Sequence, residues 1–335
     1  MTGDLLRGLS MGEENMTFLV TGGLGFIGSN FIRHMLSAYP DCTIINLDLA
    51  TYAGNSENLR DIADDPRYRF VHGDICDFAL VDSIFADNAI DSVVHFAAES
   101  HVDRSITDAS VFVRTNVLGT HTLLEGALKY GLSRFIHVST DEVYGSIMEG
   151  SFGETDNLNP SSPYSASKAG SDLLALSYWT THRLPVIVTR CTNNFGPYQY
   201  PEKLIPLFAT NLIDNKKVPV YGTGKNVRDW IYVLDHCKAI DLLLSAGTPG
   251  EIYNIGSGNE RNNIEITMTI LDILGFDESM IEYVEDRKGH DWRYSLDSTK
   301  LRGMGWNPEY DFATALTKTV EWYAENEWWW RPLKQ

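Results

Sequence analysis

Positive charge is scarce in this 335-residue chain: 27 Lys and Arg stand against 45 Asp and Glu, a net charge of −18. Such a balance repels a phosphate backbone and anionic lipid, and no basic run relieves it. Neither nucleic acid nor a membrane is therefore expected as a partner. Cysteine is equally sparse. Cys42, Cys76, Cys191 and Cys237 lie far apart, with no Cys-x-x-Cys pair and no His-Cys cluster at metal-ligand spacing, so they read as free thiols and no metal is expected. No stretch approaches the roughly 18 unbroken apolar residues of a membrane span. Residues 1–15 carry Asp4, Glu13 and Glu14 and lack the apolar core of a signal peptide; a disordered leader on a cytoplasmic protein is expected. The 43% of hydrophobic residues exclude global disorder.

From Thr17 onward, short β-branched runs alternate with helix-period segments, which is the signature of βαβ units. Strands are predicted at 17–21, 43–48, 69–73, 91–97, 134–140 and 185–190. Helices are predicted at 26–38, 77–87, 109–130 and 164–182. Nearly continuous apolar strands suit a parallel sheet covered on both faces, so the fold class is α/β, a Rossmann-like doubly wound sheet. After about Thr192 the texture changes to shorter elements rich in Pro and Gly. A smaller, interleaved C-terminal substrate lobe is expected, with residues 16–191 and about 230–247 forming the nucleotide domain and 192–229 and 248–330 the lobe. Helix 311–326 closes the chain, and Trp328, Trp329 and Trp330 read as packing or an interface.

Gly22, Gly25 and Gly28 form a glycine-rich turn directly after the first strand, at the start of a helix. In that setting the backbone can approach a pyrophosphate. Asp48 ends the second strand, where a carboxylate accepts bonds from both ribose hydroxyls and repels a 2′-phosphate, favouring NAD over NADP. Asp74, after the third strand, is placed to reach the adenine.

Tyr164 and Lys168 are one helical turn apart, and Ser139-Thr140 end the preceding strand, where open α/β sheets bind ligands. An ammonium beside a phenol is expected to lower its pKa and make Tyr164 a proton shuttle for alcohol oxidation. Asp141 and Glu142 follow at once. Adjacent carboxyls in a closed site titrate apart, supplying an acid for a leaving hydroxyl and a base for a carbon-bound proton; a solvated acidic turn is the plainer alternative.

These residues, with DLATYAGN (48–55), FAAESHVDRSI (96–106), STDEVYG (139–145), SSPYSASK (161–168), NNFGPYQYPEKLIP (193–206), RDWIYV (228–233) and DRKGHD (286–291), resemble the extended short-chain dehydrogenase/reductase superfamily over about 16–326. Within it the chain is most similar to the nucleotide-sugar 4,6-dehydratases, those acting on dTDP-glucose above all. UDP-glucose dehydratases, UDP-sugar epimerases and a non-catalytic NAD-binding regulator are the competing readings. The resemblance implies Thr140, Asp141, Glu142, Tyr164 and Lys168 as catalytic residues. It implies cofactor contacts from Gly22, Gly25, Phe26, Ile27, Gly28, Asp48, Asp74, Ile75, Ala97, Thr115, Tyr164, Lys168 and Asn194. For the nucleotide-sugar substrate it implies Ser100, His101, Thr140, Asn193, Lys203, Leu204, Tyr221, Arg228, Asn263 and His290. Arg228 is read as a bidentate phosphate clamp. His95 and Cys191 lie inside strands and read as core. Lys288, Trp292 and Leu49-Ala50 depart from the family pattern, the first two putting nucleotide contacts in question. A homodimer is also implied, with Leu123, Leu124, Leu173, Leu174 and Leu176 on helices 109–130 and 164–182 expected at its interface.

Overall fold

The computed structural model of the chain describes residues 15–286 and 291–334. The expected leader, save its last residue, lies outside them, as do Lys288 and His290.

Six strands follow the predicted rhythm: β1 (Thr17–Thr21), β2 (Thr43–Asp48), β3 (Tyr68–His72), β4 (Ser92–His95), β5 (Arg134–Thr140) and β6 (Val186–Cys191). Their order in the sheet is 3-2-1-4-5-6, and every pairing is parallel. All of β4, β5 and β6 is buried, which is why these strands read as unbroken rather than alternating apolar runs. Helices α1 (Phe26–Ala38), α2 (Phe78–Asp87), α3 (Thr120–Tyr130) and α4 (Pro163–His182) cross between them. Two apolar cores result, centred on Phe31 and Val94 on one face and on Phe85 and Leu124 on the other.

The second half adds β7 (Asn193–Phe195), α5 (Leu204–Ile213), β8 (Val218–Tyr221), β9 (Val227–Tyr232), α6 (Val233–Ala246), β10 (Ile252–Ile255), β11 (Glu260–Asn262), α7 (Asn263–Leu274), β12 (Ile281–Val284) and α8 (Phe312–Glu325). α6 returns to pack on α1: His34 and Tyr39 both bond the Asp241 carboxylate, at 2.7 and 2.6 Å. A separate core gathers Phe208, Trp230, Ile270, Tyr323, Trp329 and Trp330, so two of the three consecutive tryptophans are packing residues while Trp328 is 47% exposed.

Two expectations need correction, and a third needs refinement. β10 joins β6 as the edge strand of the large sheet, so the segment after residue 247 does not pass wholly to the smaller lobe. Its short run, Ile-Tyr-Asn-Ile, finds ladder partners beside Val188–Cys191 that no local signal announces. The helix expected over 109–130 is continuous from Ser110, its junction residues Phe112, Val113, Gly119 and Thr120 all right-handed helical, but it is not α throughout. A wide π-turn over Val113–Gly119 precedes α3, with the Thr120 hydroxyl donating to the Asn116 carbonyl at 2.6 Å and Gly119 pressed against Ile75. Leu123 and Leu124 are fully buried in this chain's own core, not presented to a partner; Leu173 is 60% exposed.

Candidate active site

A cleft of about 440 Å³ opens at the carboxyl ends of β1, β2, β4, β5 and β6. At one end is the glycine turn. Gly22 has φ +73°, and a Cβ there would meet the Ala97 nitrogen at 2.6 Å, so only glycine lets the turn sit this close to the end of β4. Gly25 caps α1 with no side-chain bond, and Phe26 and Ile27 of that first turn, whose N–H groups have no partner within the helix, line the cleft. Asp48 accepts from the Leu24 and Ala50 N–H groups at 2.9 and 2.8 Å, which aims its carboxylate across the turn. Burial pushes this carboxyl up, against those two bonds. Asp74 is tied to Arg114 at 2.8 Å. Ile75, Ala97, Thr115 and Asn194 also line the space, so all thirteen residues expected around a dinucleotide border one cavity. A backbone N–H nest, a carboxylate at the ribose position and an apolar floor form a donor set that fits NAD.

At the other end β5 runs out at Thr140, and a tight turn over Asp141–Tyr144 follows, capped by the Thr140 hydroxyl accepting from the Glu142 N–H at 3.2 Å. Gly145, at φ +83°, ends it. Opposite, a Ser162–Ser165 capping box with Pro163 in the first turn starts α4. Tyr164 and Lys168 therefore project from the first turns of α4 toward the Thr140 end. Thr140, Asp141, Glu142, Tyr164 and Lys168 all line the cleft.

Their electrostatics differ from the simple expectation. Lys168 donates its ammonium to the Val138 carbonyl at 2.8 Å, and burial lowers its pKa to about 8. The Tyr164 phenol is not lowered. Burial raises it well above its ordinary value, the carboxylates of Glu142 and Asp141 add to the rise, and only the Thr140 hydrogen bond opposes it. Asp141, with 3% of its surface exposed, is pushed up to about 8, by burial first and by Glu142 second. It is thus a neutral acid at neutral pH.

Of the residues expected at the substrate, Ser100, Asn193 and Lys203 line the cleft. His101 sits beside it with Nε2 3.4 Å from Glu202. Leu204 opens α5, Tyr221 ends β8 with 37% exposure, and Asn263 begins α7; these lie beyond the cleft wall. Arg228 is also outside it. Its Nη1 donates to the Val227 and Trp292 carbonyls and its Nη2 to Asp291 O, and the guanidinium stacks 4.3 Å above Tyr294. His95 is core, held between Thr21 and Thr120 at 2.7 and 2.9 Å, whereas Cys191 is both buried and part of the cleft lining. Glu99, Tyr52, Tyr200 and Glu202 line the cleft too, and Tyr52 donates to Glu202 at 3.2 Å. All four fall inside the segments that carry the family resemblance, yet no spacing singled them out.

The family profile described as GDP-mannose 4,6 dehydratase matches residues 19–319. A dTDP-glucose 4,6-dehydratase from Streptomyces niveus is 55% identical, covering 95% of this chain and 96% of its own. The crystal structure of a dTDP-glucose 4,6-dehydratase from Streptomyces venezuelae, with NAD and dTDP bound, superposes with a TM-score of 0.92 at 57% identity, over 95% of this chain and all of that one. A UDP-glucose 4-epimerase from Thermotoga maritima shares the fold at a TM-score of 0.87 and 30% identity, over 93% of this chain and 100% of that one.

Proposed function

This chain belongs to the GDP-mannose 4,6 dehydratase family, and on that premise we propose that it converts dTDP-glucose into dTDP-4-keto-6-deoxyglucose and water with NAD as its cofactor. The observation that carries this reading is one cavity joining a dinucleotide-type glycine turn to Thr140, Asp141, Glu142, Tyr164 and Lys168.

The turn of Gly22, Gly25 and Gly28 with Phe26 and Ile27 would hold the pyrophosphate of NAD, and Asp48 its ribose. When bound, NAD would supply a reversible hydride store, so that the hydride lost at C4 is the one that C6 gains after water has left, and, in its oxidised form, a positively charged ring. Tyr164 takes the proton of the sugar C4 hydroxyl, and the Thr140 hydroxyl holds the C4 oxygen. The Lys168 ammonium steadies the phenolate. A carbonyl at C4 acidifies the C5 proton, which Glu142 removes and gives back to C5 when C6 is reduced. Asp141, protonated at neutral pH, gives its proton to the C6 hydroxyl as it leaves as water. An epimerase needs no such second pair of groups, and this supports dehydration over the UDP-sugar 4-epimerase reading.

Ser100, His101, Asn193 and Lys203 are read as contacts to the sugar and diphosphate, with Leu204, Tyr221, Arg228 and Asn263 continuing the path toward the nucleoside. Lobe 192–229 plus the residues after β10 is read as the substrate lobe. Among the described residues no helix is long and apolar enough to cross a membrane; a cytoplasmic homodimer is proposed, with Val113, Leu118 and Leu173, each 47–60% exposed, on its interface. The test of the reaction is incubation of the purified protein with dTDP-glucose and, separately, UDP-glucose, without added reductant. A dTDP-sugar product lighter by one water is expected; unchanged sugar mass overturns the proposal, and equal turnover of the UDP-sugar overturns the nucleotide assignment.

A further inference from the structure

A buried amide beside the glycine turn ties it to the core of the chain's second half. Asn58, in the helical segment Ser56–Ile62, is 1% exposed. Its Nδ2 donates to the Leu24 carbonyl at 2.8 Å, and its Oδ1 accepts the indole N–H of Trp329 at 2.7 Å. Trp329 stands 271 residues further along the chain, packed edge-on against Trp322 and Tyr198. Arg33 of α1 closes the seam: it donates to the Asn58 carbonyl and to Asp61, and its guanidinium stacks 4.3 Å above Tyr198.

An amide can face two ways, and its partners decide which. An indole N–H only donates and a carbonyl only accepts, so Trp329 and Leu24 together fix Oδ1 on one side and Nδ2 on the other. Turned over, the amide would set donor against donor and acceptor against acceptor. The far end of this tie is the cofactor turn. The Leu24 N–H donates to the Asp48 carboxylate at 2.9 Å, and the Leu24 carbonyl shares a peptide plane with the Gly25 N–H, which bonds the Gly22 carbonyl at 3.1 Å. The Asn55 N–H is a second donor to the Leu24 carbonyl, at 3.0 Å; Asn58 is the donor that carries the tie onward to Trp329. A buried indole N–H needs an acceptor wherever it lies, and a structural role would end there. Here the other end of the acceptor holds the turn.

We propose that Asn58 and Trp329 are positioning residues for the cofactor: the indole orients the amide, and the amide holds the Leu24–Gly25 peptide, and with it Asp48, in the geometry that receives NAD. This rests on the reading of the glycine turn and Asp48 as the contacts to the pyrophosphate and ribose of NAD. The C-terminal segment thereby belongs to the cofactor site, although Trp329 does not line the cleft.

Two variants cut the tie on either side of the amide. Trp329→Phe keeps a ring in the core and deletes the indole N–H. Asn58→Asp keeps an acceptor for the indole and sets a carboxylate oxygen against the Leu24 carbonyl. Wild type, both variants and N58D/W329F are titrated calorimetrically with NAD and with NADP, and each is melted. NAD affinity is expected to fall about fivefold in W329F, the scale of one buried hydrogen bond, and at least about tenfold in N58D. The preference for NAD over NADP shrinks in both, because Asp48 is aimed through Leu24; a loss of stability alone would leave that ratio unchanged. In the double variant the further loss beyond N58D is expected to stay within about twofold, since Trp329 acts through the amide. Unmoved affinity and ratio in W329F, whatever its melting temperature, overturn the proposal, and so do fully additive losses; W329F decides alone should N58D fail to fold. Wild-type protein that binds no NAD would overturn the cofactor reading and this proposal with it, whereas wild-type binding with unaffected variants strikes the proposal alone.

Discussion

Gly28 stands so close to Gly22 that a Cβ on Gly28 would sit 2.3 Å from the Gly22 carbonyl oxygen. The contact is backbone on backbone, so no side chain can swing away to relieve it. The first turn of α1 would have to shift, and with it the N–H groups of Phe26 and Ile27. Gly28→Ala is expected to weaken NAD binding at least tenfold and to destabilise the fold by about 2 kcal/mol. Calorimetric titration with NAD and a thermal melt check both; unchanged affinity would show that this turn does not hold the cofactor.

The buried acid Asp141 makes a stability prediction with a definite sign. Its folded pKa of about 8 lies above its ordinary value of 3.8. Its contribution to stability is therefore full below about pH 4 and is lost as pH rises through 8. Asp141→Asn removes a carboxylate that the fold does not want ionised. The variant is expected to melt higher than wild type at pH 9 and close to it at pH 4. Its turnover is expected to fall by roughly 10²–10⁴-fold, the usual contribution of a positioned acid. Melting curves at the two pH values, with product mass analysis, decide the matter.

Asp48 accepts two backbone N–H bonds while facing the cleft. Asp48→Ser shortens the side chain and removes the charge that repels a 2′-phosphate. NAD affinity is expected to fall about tenfold, and the preference for NAD over NADP to shrink. Titration of both cofactors measures the ratio; a preserved ratio would assign the selectivity elsewhere.

Leu173 is 60% exposed, on the outer face of a helix where Ala166, Ser177 and Thr180 are exposed as well. A charge there has no internal packing to disturb. Leu173→Asp is expected to convert a dimer to a monomer in light scattering at micromolar concentration while leaving the melting temperature of the protomer within a few degrees. A wild-type monomer would remove the dimer from the proposal altogether.

Much of the framework was legible along the chain because it depends on local signals. β1, β2, β5 and α1 begin and end where the apolar runs and the glycines put them. The glycine turn, Asp48 and the Tyr164–Lys168 spacing could be read one helical or strand period at a time. Leu123 and Leu124 could not: a helix apolar on two faces reads the same whether the second face meets its own sheet or another subunit. β10 was equally silent, since a four-residue run, Ile-Tyr-Asn-Ile, says nothing about which edge it pairs with. Glu202 and Tyr52 reach the cleft from loops 150 residues apart, a distance that no periodicity spans.

What the amino-acid order settled by itself was the kind of chemistry: a nucleotide-binding turn, a Tyr-Lys pair and two adjacent acids, each defined by neighbours within a few positions. Only the folded chain decided their protonation. The raised acid of Asp141 and the lowered ammonium of Lys168 both follow from burial, and Lys168 is held by the Val138 carbonyl of a separate element. Charge in a protein interior is set by what surrounds a group in space, and that surrounding is assembled from residues remote in sequence.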